Sequence, residues 1–550
     1  MKVAERNRRA ARLRRREVLQ LLLGAPLAAS ALSCDRHTAP RSYAGELLGQ
    51  NAQAGHRLRG ALPRPDEFPK QPTHTAAVVI VGAGPAGLSA GYALAQQNID
   101  DFCLLDLEAC AGGTSRAGTS AVTPYPWAAH YITCPTADNG PLCTLLKEMG
   151  VITVDAAGEP RGLDPYLVSE PKERHFYRGF FYPGLYRYAG ASADDLDQLK
   201  RFQAEVVDLS QQRDTRGRRA FALPFSQSSN DERWAALDRV SAADFLRRKG
   251  YTSERLRWLA DYACRDDFGL TLADTSAWAL LHYFAARSDG ERPHVGDVLT
   301  WPQGNAALTA HLQRSYRRPV QGDTLVVDVA QDASGVSVYA IDVRSQRLLH
   351  YRARRVILAT PQFIVQRLVR ELRQQTEQGP PAYGAWWVAN LHLRQRPQQR
   401  GAEQAWDTVL TESPSLGYVC ATHQRGRGFG PTVLTYYMPM TDSDPAAGRQ
   451  RLFGLGLNEL QDVVLSDLVH AHPDLRSHVE RIDVFRWGHA MVQPRVGRLF
   501  AAAQTTAKSV RGRLHFAHSD LSGLALFEEA FDHGLRAAAE VIAELRAEPV

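Results

Sequence analysis

Val78-Val79-Ile80-Val81-Gly82-Ala83-Gly84-Pro85-Ala86-Gly87-Leu88-Ser89-Ala90 is the stretch whose reading decides the fold. Four consecutive β-branched residues predict a buried parallel strand, and Gly82-x-Gly84-x-x-Gly87 follows directly, before helical spacing begins at Leu88, Tyr92 and Ala93. Gly82 permits a tight turn, Gly84 lets a pyrophosphate approach the backbone, and Gly87 lets helix and strand pack closely. Pro85 and Ala86 open the helix, whose N-terminus then faces the phosphates. A second strand, Phe102–Leu105, ends in Asp106, 24 residues after Gly82, where an acid is expected to hold the ribose hydroxyls. A glycine-rich turn in an ordinary α/β core would leave that paired acid without a reason.

Six residues beyond Asp106 come Gly112-Gly113, then Thr114-Ser115-Arg116. Acid, six-residue step and Gly-Gly together resemble the FAD-binding signature of the flavin-containing amine oxidase superfamily, which includes amine oxidases, protoporphyrinogen oxidases and phytoene desaturases. The resemblance implies an α/β chain: a Rossmann-like FAD-binding domain carrying an inserted α+β substrate domain, with FAD rather than NAD as resident cofactor. It places the FAD domain at 76–150, 291–365 and 491–548 and the substrate domain at 151–290 and 366–490. Gly112, Gly113 and Thr114 join the cofactor set. Val326 falls where backbone faces adenine, and Thr360 ends the return strand Val356-Ile357-Leu358-Ala359-Thr360-Pro361. Near the C-terminus, Gly512-Arg513-Leu514-His515-Phe516-Ala517-His518-Ser519-Asp520 resembles the superfamily's closing motif, with Asp520 as its acid and Phe527 at the start of a helix facing the flavin. A helix N-terminus there would stabilise negative charge on the reduced ring.

Past the Gly-Gly pair lies Tyr125-Pro126-Trp127-Ala128-Ala129-His130-Tyr131, which the resemblance brings toward the flavin ring. His130 is a candidate catalytic base there, weighed against a hydrogen-bonded structural histidine. Residues 192–209, 241–249, 252–264 and 273–286 carry helical spacing, and 382–460 read as mostly strand. In that second region Trp386 and Trp387 point to opposite faces, so one of them can line a pocket; Trp387 is the candidate.

Ahead of all this, residues 1–34 combine a basic run from Lys2 to Arg16 with an apolar stretch, Val18–Leu32, that is short for a bilayer span. Arg15-Arg16-Glu17-Val18-Leu19 resembles a twin-arginine export signal, with Arg14 where Ser or Thr is usual. That route carries folded proteins, as a chain that binds FAD before export requires, and it makes the export machinery a partner. Ala31-Leu32-Ser33-Cys34 resembles a lipobox whose acylated Cys34 would anchor the protein to the outer side of the cytoplasmic membrane; Ala29-Ser30-Ala31 suits ordinary cleavage and a periplasmic product. Residues 35–74, proline-rich and without a sustained period, read as a tether.

Eight basic and two acidic residues in 1–33 account for the whole formal charge of +6, so the remaining chain is near neutral and nucleic-acid binding is not expected. No C-x-x-C pair or histidine cluster predicts a metal site. An exported destination permits a Cys134–Cys143 disulfide; buried free thiols are the other reading.

Together these features predict an FAD-dependent oxidoreductase that takes hydride from an amine or similar small organic substrate. The alternative is a non-catalytic or electron-transferring flavoprotein partner of a membrane complex. Two departures from the superfamily stand out. Amine oxidases usually place a lysine near the flavin, yet the seven lysines here (2, 70, 147, 172, 200, 249, 508) miss the corresponding strand, and Leu524 and Leu526 stand where an aromatic pair would cage an amine.

Overall fold

His74–Val81 is the central parallel strand of a seven-stranded sheet, flanked by Phe102–Leu105 on one side and Leu348–Leu358 on the other. In this computed structural model the described residues are 43–288, 297–316, 318–373, 381–426, 428–501 and 510–548. The chain divides at Tyr43/Ala44, and the account below concerns Ala44 onward. The expected export signal, Cys34 and the first part of the expected tether fall outside the described residues.

Val78, Val79 and Ile80 are fully buried because both faces of the parallel sheet are covered. At ~1.5–3 kcal/mol per buried aliphatic side chain, this strand is a main source of cohesion. One face carries the helix Pro85–Gln96, against which the C-terminal helix Phe527–Ala547 packs through a shared core including Leu88, Phe531 and Val541. The long strand Leu348–Leu358 pairs with Gly335–Asp342 along its first half and with Leu514–Phe516 along its second. That arrangement delivers the C-terminal motif beside the glycine turn.

The second sheet has eight strands. Its centre is Tyr383–Leu393 between Thr432–Pro439 and Val479–Val492, all antiparallel. The last of these strands was not anticipated, nor were the helices Pro445–Gly454 and Leu457–Leu468 in the region expected to be mostly strand. Four helices, Ala193–Gln211, Ala242–Arg248, Glu254–Phe268 and Ala277–Ala285, match the four predicted ones within a few residues. Ser192, Ser241 and Ser253 cap the first three by accepting from backbone N–H groups, which fixes where the turns begin. Among the described residues no helix is long and apolar enough to cross a membrane. Cys134 and Cys143 are free thiols, as are Cys103, Cys110, Cys264 and Cys420.

From Ala44 the stretch expected as a free tether lies against the body. Leu47–Gly49 pairs in parallel with Val479–Val492, and Leu58 and Phe68 are buried in the core of the nucleotide sheet. Apolar residues spaced too irregularly to show a period are still enough to dock an extended segment.

Candidate active site

A cavity of about 560 Å³ is lined by residues of both sheets. The turn contributes Gly82, Gly84, Pro85 and Ala86, the neighbouring strand Asp106, and the second glycine pair Gly113 and Thr114. Val326, Thr360 and Phe527 complete the predicted residues that line it.

Gly82 has φ +103°, and a Cβ there would sit 2.6 Å from the Ala359 carbonyl oxygen, so the turn excludes any side chain. Gly87 is not among the lining residues: a Cβ on it would lie 1.8 Å from the Gly82 carbonyl oxygen, so helix and turn meet there without room for a side chain. Gly112 also stays behind the lining, its N–H donating to the Ala83 carbonyl at 2.8 Å to hold the two glycine turns together.

Asp106, half-buried on the cavity wall, accepts from Ala83 N–H at 2.5 Å and Glu108 N–H at 2.7 Å. Burial pushes its carboxyl up to about 6, against the pull of those two donors. The cavity wall also holds Thr360 Oγ1, buried with no hydrogen-bond partner among the described residues. An orphaned hydroxyl beside a glycine turn, an acid and a helix N-terminus is the donor set that a dinucleotide would satisfy.

Asp520 does not line the cavity. It is tied inward, accepting from Gln362 N–H at 2.7 Å and from the Tyr383 hydroxyl, with His518 Nδ1 at 3.1 Å. Its carboxyl stays below the usual range because His518 and those donors outweigh burial. The lining positions of the closing motif are instead His518 and Ser519, so the acid braces the motif from behind.

His130 and Trp387, the two candidate catalytic side chains, also lie outside this cavity. Tyr131, Trp406 and Tyr437 surround His130, with ring centroids 4.7–5.5 Å away, and burial pushes its pKa down to about 4. Trp387 is buried against Tyr436, 5.5 Å between centroids. Among the described residues no lysine lines the cavity.

A second group of buried titratable residues has no counterpart in the sequence reading. Glu173, Asp266, Asp267 and Asp407 gather around Arg287, Tyr131, Tyr262 and Tyr283. Asp267 and Arg287 form a buried ion pair at 2.6 Å, and Tyr262 donates to Asp407 at 3.3 Å. Burial first, then mutual repulsion, raises the Asp266 and Asp407 carboxyls. Burial lifts Glu173 to about 7 against the nearby Lys172. Glu528, next to cavity-lining Phe527, feels the charges of Arg287 and Asp267 and is raised too, while Ala129, beside His130 and Tyr131, lines the cavity itself. None of these carboxyls lines the cavity itself; the link to it is Glu528, which follows Phe527 and lies within range of the Arg287 and Asp267 charges. The group's sequence signal was the doublet Asp266-Asp267 at the end of the helix Glu254–Phe268, of which Asp267 is buried among core residues.

With this geometry in view, a profile of the family described as flavin containing amine oxidoreductase matches residues 85–542. Solved structures of similar fold include wild-type putrescine oxidase bound to putrescine (TM-score 0.62, 17% identity, 86% of this chain and 100% of that one). Cyclohexylamine oxidase from Brevibacterium oxydans IH-35A is similar as well (TM-score 0.59, 17% identity, 86% and 99% covered). So is the CLA-producing fatty acid isomerase from P. acnes (TM-score 0.60, 15% identity, 84% and 98% covered). No curated protein matches the sequence significantly.

Proposed function

Given that the chain belongs to the flavin-containing amine oxidoreductase family, we propose that it is an FAD-dependent oxidase or dehydrogenase of a small cationic amine, exported in folded form. The single observation that carries the substrate class is the buried acidic group, joined to the cavity through Glu528 next to Phe527, since clustered carboxyls that repel one another attract a cation whose charge relieves that repulsion. FAD, when bound, supplies the acceptor for the hydride.

The protein's own residues do the rest. Gly82, Gly84 and the N-terminus of Pro85–Gln96 present backbone N–H groups to phosphate, Asp106 receives the ribose hydroxyls, and Thr360 offers its free hydroxyl. At the other end, Glu173, Asp266 and Asp407 draw the ammonium group toward the flavin, and a carboxylate among them accepts the proton an amine must shed before it can give up hydride.

Anaerobic titration of the yellow holoprotein with a panel of mono- and diamines tests the reading. Bleaching of the flavin spectrum by an amine, with peroxide released or a carrier reduced on reoxidation, is the expected result. Indifference to every amine overturns it and favours the electron-transferring alternative. The export reading, which rests on Arg15-Arg16 and the apolar stretch after them, predicts that a doubly Arg15→Lys, Arg16→Lys chain stays in the cytoplasm with FAD bound. Labelling with a radioactive fatty acid distinguishes acylation at Cys34 from cleavage after Ala31.

A further inference from the structure

The segment Ala44–Thr73 lies ahead of the family match, which begins at residue 85. It is fastened at both ends. Leu47 pairs opposite Val484 and Gly49 opposite Arg486 in the substrate sheet, while Thr73 N–H donates to the His350 carbonyl at 2.7 Å in the nucleotide sheet. Midway, Asn51 N–H donates to Glu108 Oε1 at 2.7 Å, two residues past the ribose acid, and Asn51's side chain caps the short helix Ala52–His56. Gln50, Asn51, Gly55, His56, Leu58 and Arg59 line the same cavity as the glycine turn.

Charge makes this placement informative. A diphosphate carries two negative charges, and taking them out of water requires countercharge close by. The helix N-terminus at Pro85 supplies about half a charge. Arg116, the cation nearest the Gly-Gly pair in sequence, is engaged elsewhere: it pairs with Glu108 at 3.2 Å and lies over the rings of Phe485 and Trp487. What does line the cavity is His56 and Arg59 from the segment, facing Arg367, Arg449 and His489 from the body. The two histidines stay neutral, His489 pushed down to about 3 chiefly by burial and His56 lowered by burial and by Arg59, so the cations on this wall are the guanidinium groups, of which Arg59 acts on Arg449. No ion pair to Arg59 or Arg367 is found among the described residues.

We propose that Gln50–Arg59 is a cofactor strap: it forms one wall of the FAD cavity and contributes Arg59, with Arg367 and Arg449, as countercharge to the FAD diphosphate. Because the strap is held by both sheets, FAD loading and strap docking are coupled, and neither the apoprotein's strap nor the strapless site is complete.

Two measurements on the full chain test this, using holoprotein and apoprotein made in riboflavin-depleted cells. Trypsin cuts after the strap's Arg57 and Arg59; FAD is expected to slow that cleavage at least tenfold, and an equal rate with and without FAD overturns the coupling. Arg59→Gln alters one exposed side chain outside the core, so the apoprotein melting temperature should not move. Flavin fluorescence titration of that variant is expected to show an FAD dissociation constant raised at least tenfold and less sensitive to salt. An unchanged dissociation constant with unchanged salt dependence overturns the countercharge role, whatever the amine specificity proves to be.

Discussion

At the turn Gly82–Gly87 the working groups are backbone amides, placed by near neighbours in the chain; around Asp266 they are carboxyls drawn from Glu173, Asp266, Asp407 and Glu528, which only the finished fold brings together. The first region works by removing side chains so that a ligand's phosphates can approach. The second works by burying charges that would otherwise remain in water. Each therefore fails in its own way: the turn through steric intrusion, the acidic group through an uncompensated charge.

The largest effect is expected at the acidic group. Arg287→Met removes the guanidinium that holds Asp267 at 2.6 Å and leaves a buried, crowded set of carboxyls without its cation. Breaking a buried pair in this way costs ~3–5 kcal/mol. Thermal or urea denaturation should show it, and the loss should be smaller at pH 5, where protonation relieves the repulsion, than at pH 8. A loss independent of pH would mean that Arg287 matters for packing alone.

Gly87→Ala breaks the other region. Its Cβ meets a backbone oxygen at 1.8 Å, which no rotamer change can clear, so the helix must shift off the strand. Overpacking of this kind costs up to ~3 kcal/mol, and because the shift moves the helix N-terminus, bound FAD per chain should fall together with the melting temperature. The same substitution at Gly84, where the nearest atom to a new Cβ is 3.9 Å away, should spare stability and weaken FAD binding only.

The difference between the two regions also explains what was legible in the sequence. Gly82, Gly84, Gly87, Asp106 and the Gly112-Gly113 pair could be assigned because a tight turn and a close approach leave no choice of residue, and that requirement is written locally. Val326, Thr360 and Phe527 followed by order along the chain. The resemblance of the closing motif makes Asp520 the match to the superfamily's cofactor-contacting acid, whereas the fold turns it toward Tyr383 and Gln362 and gives the cavity His518 and Ser519. The acidic group had no local pattern beyond Asp266-Asp267, and its members come from a strand edge, two helices and a β-segment. The strap escaped notice because docking by Leu47, Leu58 and Phe68 needs no periodicity.

Asp266→Asn sharpens the comparison by testing recognition rather than stability. Removing one carboxylate from the group should raise KM for a cationic amine about tenfold, equivalent to ~1.4 kcal/mol, with FAD content unchanged. The pH dependence has a definite sign. Glu173 titrates near 7 and Asp266 is raised for the same reason, so both are neutral in acid and ionise as pH rises through about 7. KM for an amine that stays protonated should therefore fall across that window in the native protein and fall less in the variant. Equal KM profiles would detach the acidic group from substrate binding.

The smallest effect is expected at His130, and it separates the acidic group from its aromatic surroundings. This histidine stands in the aromatic run that the sequence brings toward the flavin, but it lies outside the main cavity, enclosed by Tyr131, Trp406 and Tyr437, and burial pushes its pKa down to about 4. A base with that pKa is already unprotonated at neutral pH and too weak to take a proton from an ammonium group, which its carboxyl neighbours can do at pH 7 because their own pKa values are raised toward it. His130→Gln should consequently leave kcat within about twofold and leave the position of the pH profile unchanged, since the titrating groups are the carboxyls. A kcat loss of a hundredfold or more, with the acid limb of the profile displaced, would instead make His130 the proton acceptor and reduce the carboxyls to an electrostatic lure for the amine.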